Sequence, residues 1–312
     1  MKNTNNFLGI DTSNYTTSAA MYDGEVIQQS KRLLPVAKGE KGLRQSDAVF
    51  SHVKQIEEVM APLWEQNIIV EAIGVSDRPR SLADSYMPCF MVGVSIAEVL
   101  GQALHVPVYR FSHQQGHIAA ALFSAERLDL LSQTFLAFHV SGGTTEAVLV
   151  NPDENNLPQA KIVAQSLDLK AGQLIDRIGV MLGLDFPCGP KLEQLALLWE
   201  DKLSFRPSMK GADSSLSGVQ NQCEAMFARQ EPKEKIAAYV LEAVRATLEK
   251  MALALQKEYQ SLPILFSGGV CSNSIIRKSL TEKFGALFAE PVFSADNAAG
   301  IAVLAHYQGR KR

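Results

Sequence analysis

Apolar residues along this chain recur at two spacings, and the spacing changes from segment to segment. Phe7-Leu8-Gly9-Ile10 is a short apolar run and Ser18-Ala19-Ala20-Met21-Tyr22 is a second, with the polar stretch 11–17 between them. This predicts an antiparallel pair of strands joined by a polar turn, and Asp23-Gly24 signals a further hairpin. Elsewhere the period is helical. Segment 46–66 places Val49, Val53, Ile56, Met60 and Leu63 on one face, with Pro62 kinking or ending it. Helices are predicted over 93–104, 171–182, 190–199, 233–260, 273–284 and 298–308, with Gly183 as a stop signal. Segments 262–266 and 291–293 read as buried strands, and the Ser-, Lys- and Asp-rich stretch 201–222 reads as a mobile loop region.

The opening pattern returns 128 residues later. FLGIDTSNYTTSAAMY (7–22) lies without gaps over FLAFHVSGGTTEAVLV (135–150), and six of the sixteen positions are identical. Apolar positions match in class as well. The chain therefore reads as two copies of one supersecondary unit, hence two related lobes with both polar turns aimed into a cleft between them.

Composition narrows the function. The 312 residues suit two domains, and 46% apolar against 20% charged residues is enough to build a core. A net charge of -3 excludes a generally basic nucleic-acid coat, so any RNA contact needs a local patch. Segment 31–44 is such a patch: Lys31, Arg32, Lys38, Lys41 and Arg44 face one acid, Glu40, and Arg78 and Arg80 extend it. No run of about 18 apolar residues occurs. The N-terminal MKNTNNFLGID leads straight into a strand pattern, so neither a signal peptide nor a membrane span is expected. The four cysteines, Cys89, Cys188, Cys223 and Cys271, form no CxxC, which points to free thiols and the reducing cytosol.

Several residues could carry chemistry. On a helix, His113 and His117 stand at i and i+4, close enough to share one cation. The pattern lacks the glutamate of HExxH, and two ordinary histidines are the alternative. Asp296, between an apolar run and a helix of small residues, is a candidate third ligand or a helix cap. Two glycine turns follow apolar strands: Val140-Ser141-Gly142-Gly143 after His139, and Ser267-Gly268-Gly269-Val270. Such turns curl backbone N–H groups toward phosphate oxygens, although neither is a Walker loop. Asp176 suits a ribose or metal contact, or a solvated charge, and Gly189 leaves room for a base or sugar to approach.

In this order, the segments Leu8-Gly9-Ile10-Asp11-Thr12-Ser13, His113…His117, Val140-Ser141-Gly142-Gly143, Leu182 through Pro190, Gly268-Gly269-Val270 with Asn273, and Asp296-Asn297-Ala298-Ala299 resemble the TsaD family. That family comprises the tRNA threonylcarbamoyladenosine synthases once called O-sialoglycoprotein endopeptidases. The resemblance implies an α/β fold of the actin/Hsp70/sugar-kinase type, two ribonuclease-H-like lobes with a central cleft. The lobes are drawn at 1–109 with 296–312, and at 110–295. It implies one divalent metal ion, iron or zinc, on His113, His117 and Asp296, the catalytic set. It also implies an adenine nucleotide, the AMP or ATP moiety of the substrate, on His139, Val140, Ser141, Gly142, Gly143, Asp176, Gly189 and Asn273, with Asp11 placed beside them.

The implied reaction moves a threonylcarbamoyl group from threonylcarbamoyl-AMP to the N6 amine of a tRNA adenosine beside the anticodon. The implied partners are tRNA, the adenylated small molecule, a paralogous family subunit and a small ATPase, with no membrane. Three elements depart from the family pattern. The acidic stretch is Asn14-Tyr15-Thr16-Thr17, the GPGL element is Arg78-Pro79-Arg80-Ser81-Leu82, and the DAAGE helix start is Leu169-Lys170-Ala171-Gly172-Gln173. The chain thus reads as a divergent paralogue. A carbamoyltransferase acting on another acceptor, and a non-catalytic nucleotide-binding paralogue that regulates or scaffolds a true synthase, are the alternatives.

Overall fold

The computed structural model describes residues 5–13, 15–35, 43–64, 68–81, 84–293 and 298–311. By their contacts the residues form two compact units, one of 1–133, 151–160 and 292–312, the other of 134–150 and 161–291.

In the first unit, β1 (Asn5–Ser13), β2 (Thr16–Tyr22) and β3 (Ile27–Leu33) form an antiparallel meander. Then come α1 (Gln45–Met60), β4 (Ile69–Arg78), α2 (Phe90–Leu104), β5 (Val108–Ser112) and α3 (His113–Ser124). β4 pairs parallel with β1, and β5 parallel with β4, giving the five-stranded order β3-β2-β1-β4-β5.

The second unit repeats this plan. β6 (Phe135–Val140), β7 (Thr145–Pro152) and β8 (Pro158–Gln165) are followed by α4 (Ala171–Met181) and α5 (Gly189–Ala196). A short ribbon, β9 (Ser208–Lys210) with β10 (Asp213–Ser215), leads into α6 (Ser217–Ala228) and the long α7 (Lys233–Tyr259). β11 (Ile264–Ser267), α8 (Ser274–Phe284) and β12 (Leu287–Phe288) complete it. The order β12-β11-β6-β7-β8, with β11 parallel to both β6 and β12, mirrors the first sheet. The expected repeat of a strand pair is therefore a repeat of a whole ribonuclease-H-like sheet. α9 (Ala299–Gly309) returns to the first unit.

Packing explains where α9 lies. Gly9 and Gly74 are directly paired on β1 and β4. A Cβ on Gly9 would stand 2.5 Å from Ala298 O and Ala302 N, and one on Gly74 would stand 2.7 Å from Ile301 O. The two bare positions make a floor on which α9 rests, with Ala299 to Ala305 buried. α3 in turn lies against α9, because Gly116 and Gly300 leave no side chain between the two backbones. That contact joins 113–124 to the first unit, whereas the sequence expectation started the second lobe at 110.

Other differences have local causes. Asp11, Thr12 and Ser13 continue β1 and are buried, since Thr12 and Thr17 pair across the hairpin and shorten the expected turn. The segment 201–222 is not a single loop. Asp168 accepts the N–H groups of Leu216 and Ser217 and the Ser217 hydroxyl, which fixes the start of α6. Residues Pro291–Phe293 form a 3-10 turn rather than a strand, as a proline cannot donate to a ladder. α1 ends at Met60 and passes into a 3-10 turn that contains Pro62. Among the described residues no helix is long and apolar enough to cross a membrane.

Candidate functional site

In the first unit, chemistry gathers at the start of α3. Ser112 caps this helix: its hydroxyl accepts the Gln115 N–H at 3.2 Å, and the Gln115 side chain accepts the Ser112 N–H at 2.8 Å. The next residue is His113, and His117 follows one turn on. Their Nε2 atoms face each other at 2.8 Å, with the rings edge to face at 4.3 Å. His113 Nδ1 is held by Asp11 Oδ2 at 2.7 Å, and Asp11 Oδ1 accepts the Ser76 hydroxyl at 2.6 Å. Asp11 and Ser76 come from the ends of neighbouring strands β1 and β4 and are buried.

A histidine whose outer nitrogen is taken by a carboxylate while its inner nitrogen faces a second imidazole has the donor set of a metal-bound histidine. The pair therefore fits a divalent ion. Asp296, the third candidate, lies outside the described residues. Among the described residues no group of three or more His, Cys, Asp or Glu is arranged to hold a metal.

In the second unit a cavity of about 410 Å³ opens among Gly142, Gly172, Asp176, Gly189, Glu193 and Asn273, with Ile175, Leu241 and Val270 on its apolar side. The starts of α4, α5 and α8 all reach it, through Gly172, Gly189 and Asn273. Helix starts carry the positive end of the helix dipole, which suits an anion, while the N–H groups of Ala171, Gly172 and Ser274 are already taken by Thr145 Oγ1, Ser141 O and Glu193. The glycine turn after β6 is closed by Ser141 N–H to Thr144 O at 2.8 Å, and it is tied to α4 by Gly172 N–H to Ser141 O at 3.2 Å. Gly142 and Gly143 are exposed, with open space where a side chain would be. The second turn needs its glycine: Gly268 has φ +97°, and any side chain there would strike the Val140 backbone.

The lining residues, among those described, include no lysine or arginine. Asp176 and Glu193 supply carboxylates. Asp176 Oδ1 accepts Cys188 N–H at 2.9 Å, and Glu193 accepts Ser274 N–H at 2.8 Å.

Of the residues expected to hold a nucleotide, Gly142, Asp176, Gly189 and Asn273 meet at this cavity, and Ser141 and Gly143 flank Gly142 in its turn. Val140 is fully buried beneath the turn. His139 Nδ1 lies 3.1 Å from Ser267 Oγ, whose proton points to Phe138 O. Asp11 belongs to the histidine pair rather than to the cavity lining. Sequence reasoning missed Glu193, although its i+4 spacing from Gly189 puts both on one face of α5. Asn273 doubles as the cap of α8, accepting Ile276 N–H at 3.1 Å.

The thiols are chemically quiet. Burial pushes Cys89 up to about 11 and Cys223 up to about 12, and it raises Cys188 and Cys271 as well. The expected basic patch is only partly within the described residues, since Lys38 and Lys41 lie outside them. Arg32 pairs with Glu58 and Arg78 with Asp77, while Arg80 is exposed next to Pro79, whose carbonyl accepts the Gln114 N–H of α3.

Comparison with known proteins gives consistent matches. The family model described as TsaD, tRNA N6-adenosine threonylcarbamoyltransferase, matches residues 48–303. A protein of that name from Chlorobium phaeobacteroides is 29% identical, over 96% of this chain and 92% of its own length. One from Thermus thermophilus is 31% identical, over 96% of this chain and 91% of its own. Among solved structures, full-length HypF in a phosphate- and nucleotide-bound form superposes with a TM-score of 0.60 at 14% identity, over 98% of this chain and 55% of that one.

Proposed function

Since the chain belongs to the TsaD family of tRNA N6-adenosine threonylcarbamoyltransferases, we propose that it transfers a threonylcarbamoyl group from threonylcarbamoyl-AMP to the N6 amine of a tRNA adenosine beside the anticodon. The observation that carries this reading is the second unit's cavity. Three helix starts and a glycine turn converge on it, without a basic side chain among the described lining. That suits the single phosphate of an acyl adenylate better than a triphosphate, whose greater charge calls for Lys, Arg or a bound cation.

In this reading the backbone at Gly142 and Gly143, which faces open space, takes the phosphate oxygens, with the dipole of α4 behind it. Asp176 and Glu193 accept hydrogen bonds from ribose hydroxyls, and Ile175, Leu241 and Val270 flank the base. His113 and His117, with Asp296 as third ligand, would hold a divalent ion. When bound, such an ion supplies positive charge that orients the threonyl group or polarises the carbamoyl carbonyl. The adenosine nitrogen bonds to the carbamoyl carbon, the carbon–oxygen bond to phosphate breaks, and AMP leaves with the electron pair. The amine proton passes to solvent. Charge grows on the departing phosphate, and the fixed amides stabilise it there without reorganising.

The test is incubation of the whole chain with threonylcarbamoyl-AMP, unmodified tRNA, the paralogous subunit and the ATPase, followed by mass spectrometry of the tRNA nucleosides. Threonylcarbamoyladenosine is the expected product, and its absence under every partner combination refutes the proposal. A second reading, carbamoyl transfer to a different acceptor, draws on Arg80, which stands exposed where the family pattern has glycine. A carbamoylated metabolite that disappears on deletion of the gene, with tRNA unaffected, would favour it.

A further inference from the structure

We propose that Asp11 and Ser76 are positioning residues that fix His113 with its proton on Nδ1, so that its Nε2 lone pair stands ready for a divalent ion. This rests on the metal reading of the histidine pair above. The argument follows hydrogens. Ser76 has one hydroxyl proton, and the Asp11 carboxylate can only accept, so Ser76 Oγ donates to Asp11 Oδ1 across 2.6 Å. The other oxygen, 2.7 Å from His113 Nδ1, accepts that ring's N–H. An imidazole that binds an ion through Nε2 keeps its one N–H on Nδ1, the nitrogen that Asp11 holds. Nε2 of His113 lies 2.8 Å from Nε2 of His117.

Burial enforces the arrangement: Asp11 is 1% and Ser76 0% exposed, so water does not compete for the carboxylate. The Asp11 backbone is held as well, because its carbonyl accepts the Ser18 hydroxyl at 3.2 Å. The register that pairs Ile10 with Val75 brings Asp11 and Ser76 side by side.

The second unit carries the same latch with different chemistry. His139 occupies the position of Asp11 in the aligned repeat, and Ser267, its register partner on β11, bonds it at 3.1 Å. A serine on the parallel neighbour thus orients the functional side chain at the end of the first strand in both units. In the first unit that side chain is a carboxylate, which can in turn orient a histidine.

The experiment measures metal binding rather than turnover. Zinc affinity is determined by chelator competition, and the visible spectrum of the cobalt-loaded protein is recorded. The proteins are the whole chain and its D11N, S76A, H113A and D11N/H113A variants, with folding checked by circular dichroism. D11N should weaken zinc about 10–100-fold and alter the cobalt band pattern, S76A should weaken it less, and D11N should have no further effect once His113 is gone. Affinity in D11N within about twofold of the parent would overturn the proposal. So would D11N and H113A effects that simply multiply, since those describe a structural role. If D11N does not fold, S76A decides: unchanged affinity and spectrum in that variant overturn the proposal. A parent chain that binds neither metal would overturn the metal reading and this proposal together, whereas a binding parent with indifferent variants overturns this one alone.

Discussion

Gly172→Ala probes how closely the glycine turn at 141–143 is built against its helix. Gly172 is the second residue of α4. A Cβ there would stand 2.6 Å from Gly142 N and 2.7 Å from Ser141 O. Ordinary contact begins at 3.4 Å, so the turn must retreat by about 0.8 Å. The obstructing atoms are backbone and cannot swing aside. Overpacking of this kind costs about 1–3 kcal/mol, against which the better helix propensity of alanine returns about 1 kcal/mol at most. Binding suffers separately. An N–H to oxygen distance lengthened from about 2.9 to about 3.7 Å is no longer a hydrogen bond. A bond to a charged acceptor contributes about 1.5–3 kcal/mol, so AMP should bind about 10–150-fold more weakly. Gly143→Ala is the control for stability, because nothing lies within 4 Å of its Cβ. Calorimetric titration with AMP and thermal melting of both variants would check this. Parental AMP affinity in G172A, or a lower melting point in G143A than in G172A, would refute the reasoning.

Further predictions concern the supports of the two sites. G300A puts a methyl group 2.6 Å from Ala120 N and into the Gly116 carbonyl. It should cost at least the upper end of the ~1–3 kcal/mol range and, by shifting α3, weaken zinc binding; an unchanged denaturation midpoint would contradict it. Burial pushes Glu249 up, but hydrogen bonds from Lys283 and Ser279 and the charge of Arg245 outweigh it and hold the carboxyl below its ordinary 4.5. Its contribution is therefore present above that value and lost as pH falls through the depressed folded value. E249Q should flatten the acid limb of melting temperature against pH, and an identical limb in both proteins would count against this. His52 is fully buried, with Nδ1 2.8 Å from Thr17 Oγ1, and desolvation lowers it below its ordinary 6.5 despite the pull of Asp11 and the Ser13 backbone. Stability from the neutral ring is present above 6.5 and lost as pH falls below it. H52Q should reduce the slope of stability between about pH 7 and about pH 5, and a slope as steep as the parent's would exclude His52 as its source.

The parts of the fold that the sequence reveals are those with a period of their own. The hairpin at 7–22 and its twin at 135–150 alternate or repeat, and the helices at 46–66 and 233–260 carry a clear stripe. Strands β4 and β5 do not stand out. β4 is buried from Ala72 to Ser76 without a break, so its apolar run lacks the alternation that marks a half-exposed strand. The site divides in the same way. The i, i+4 histidines and the glycine turns are local patterns and can be read directly. The partnership of Asp11 with His113 spans 102 positions and depends on strand register, which no local window contains. The ordering of 201–222 likewise depends on a distant carboxylate, Asp168, reaching Leu216 and Ser217.

The seat of α9 on Gly9 and Gly74 has a bearing on how the protein is made. α9 follows the whole second unit in the sequence, yet it covers the sheet formed by the earliest strands. During synthesis the ribosome delivers β1 to β5 first, and that sheet waits with one face bare until the helix emerges. The unit of 134–150 and 161–291 carries no such debt within its own sheet and helices, so the later-made half can mature before the earlier one. Until then the uncovered glycine floor is a surface for chaperones to shield, and a nonsense codon upstream of Ala299 would leave it permanently open.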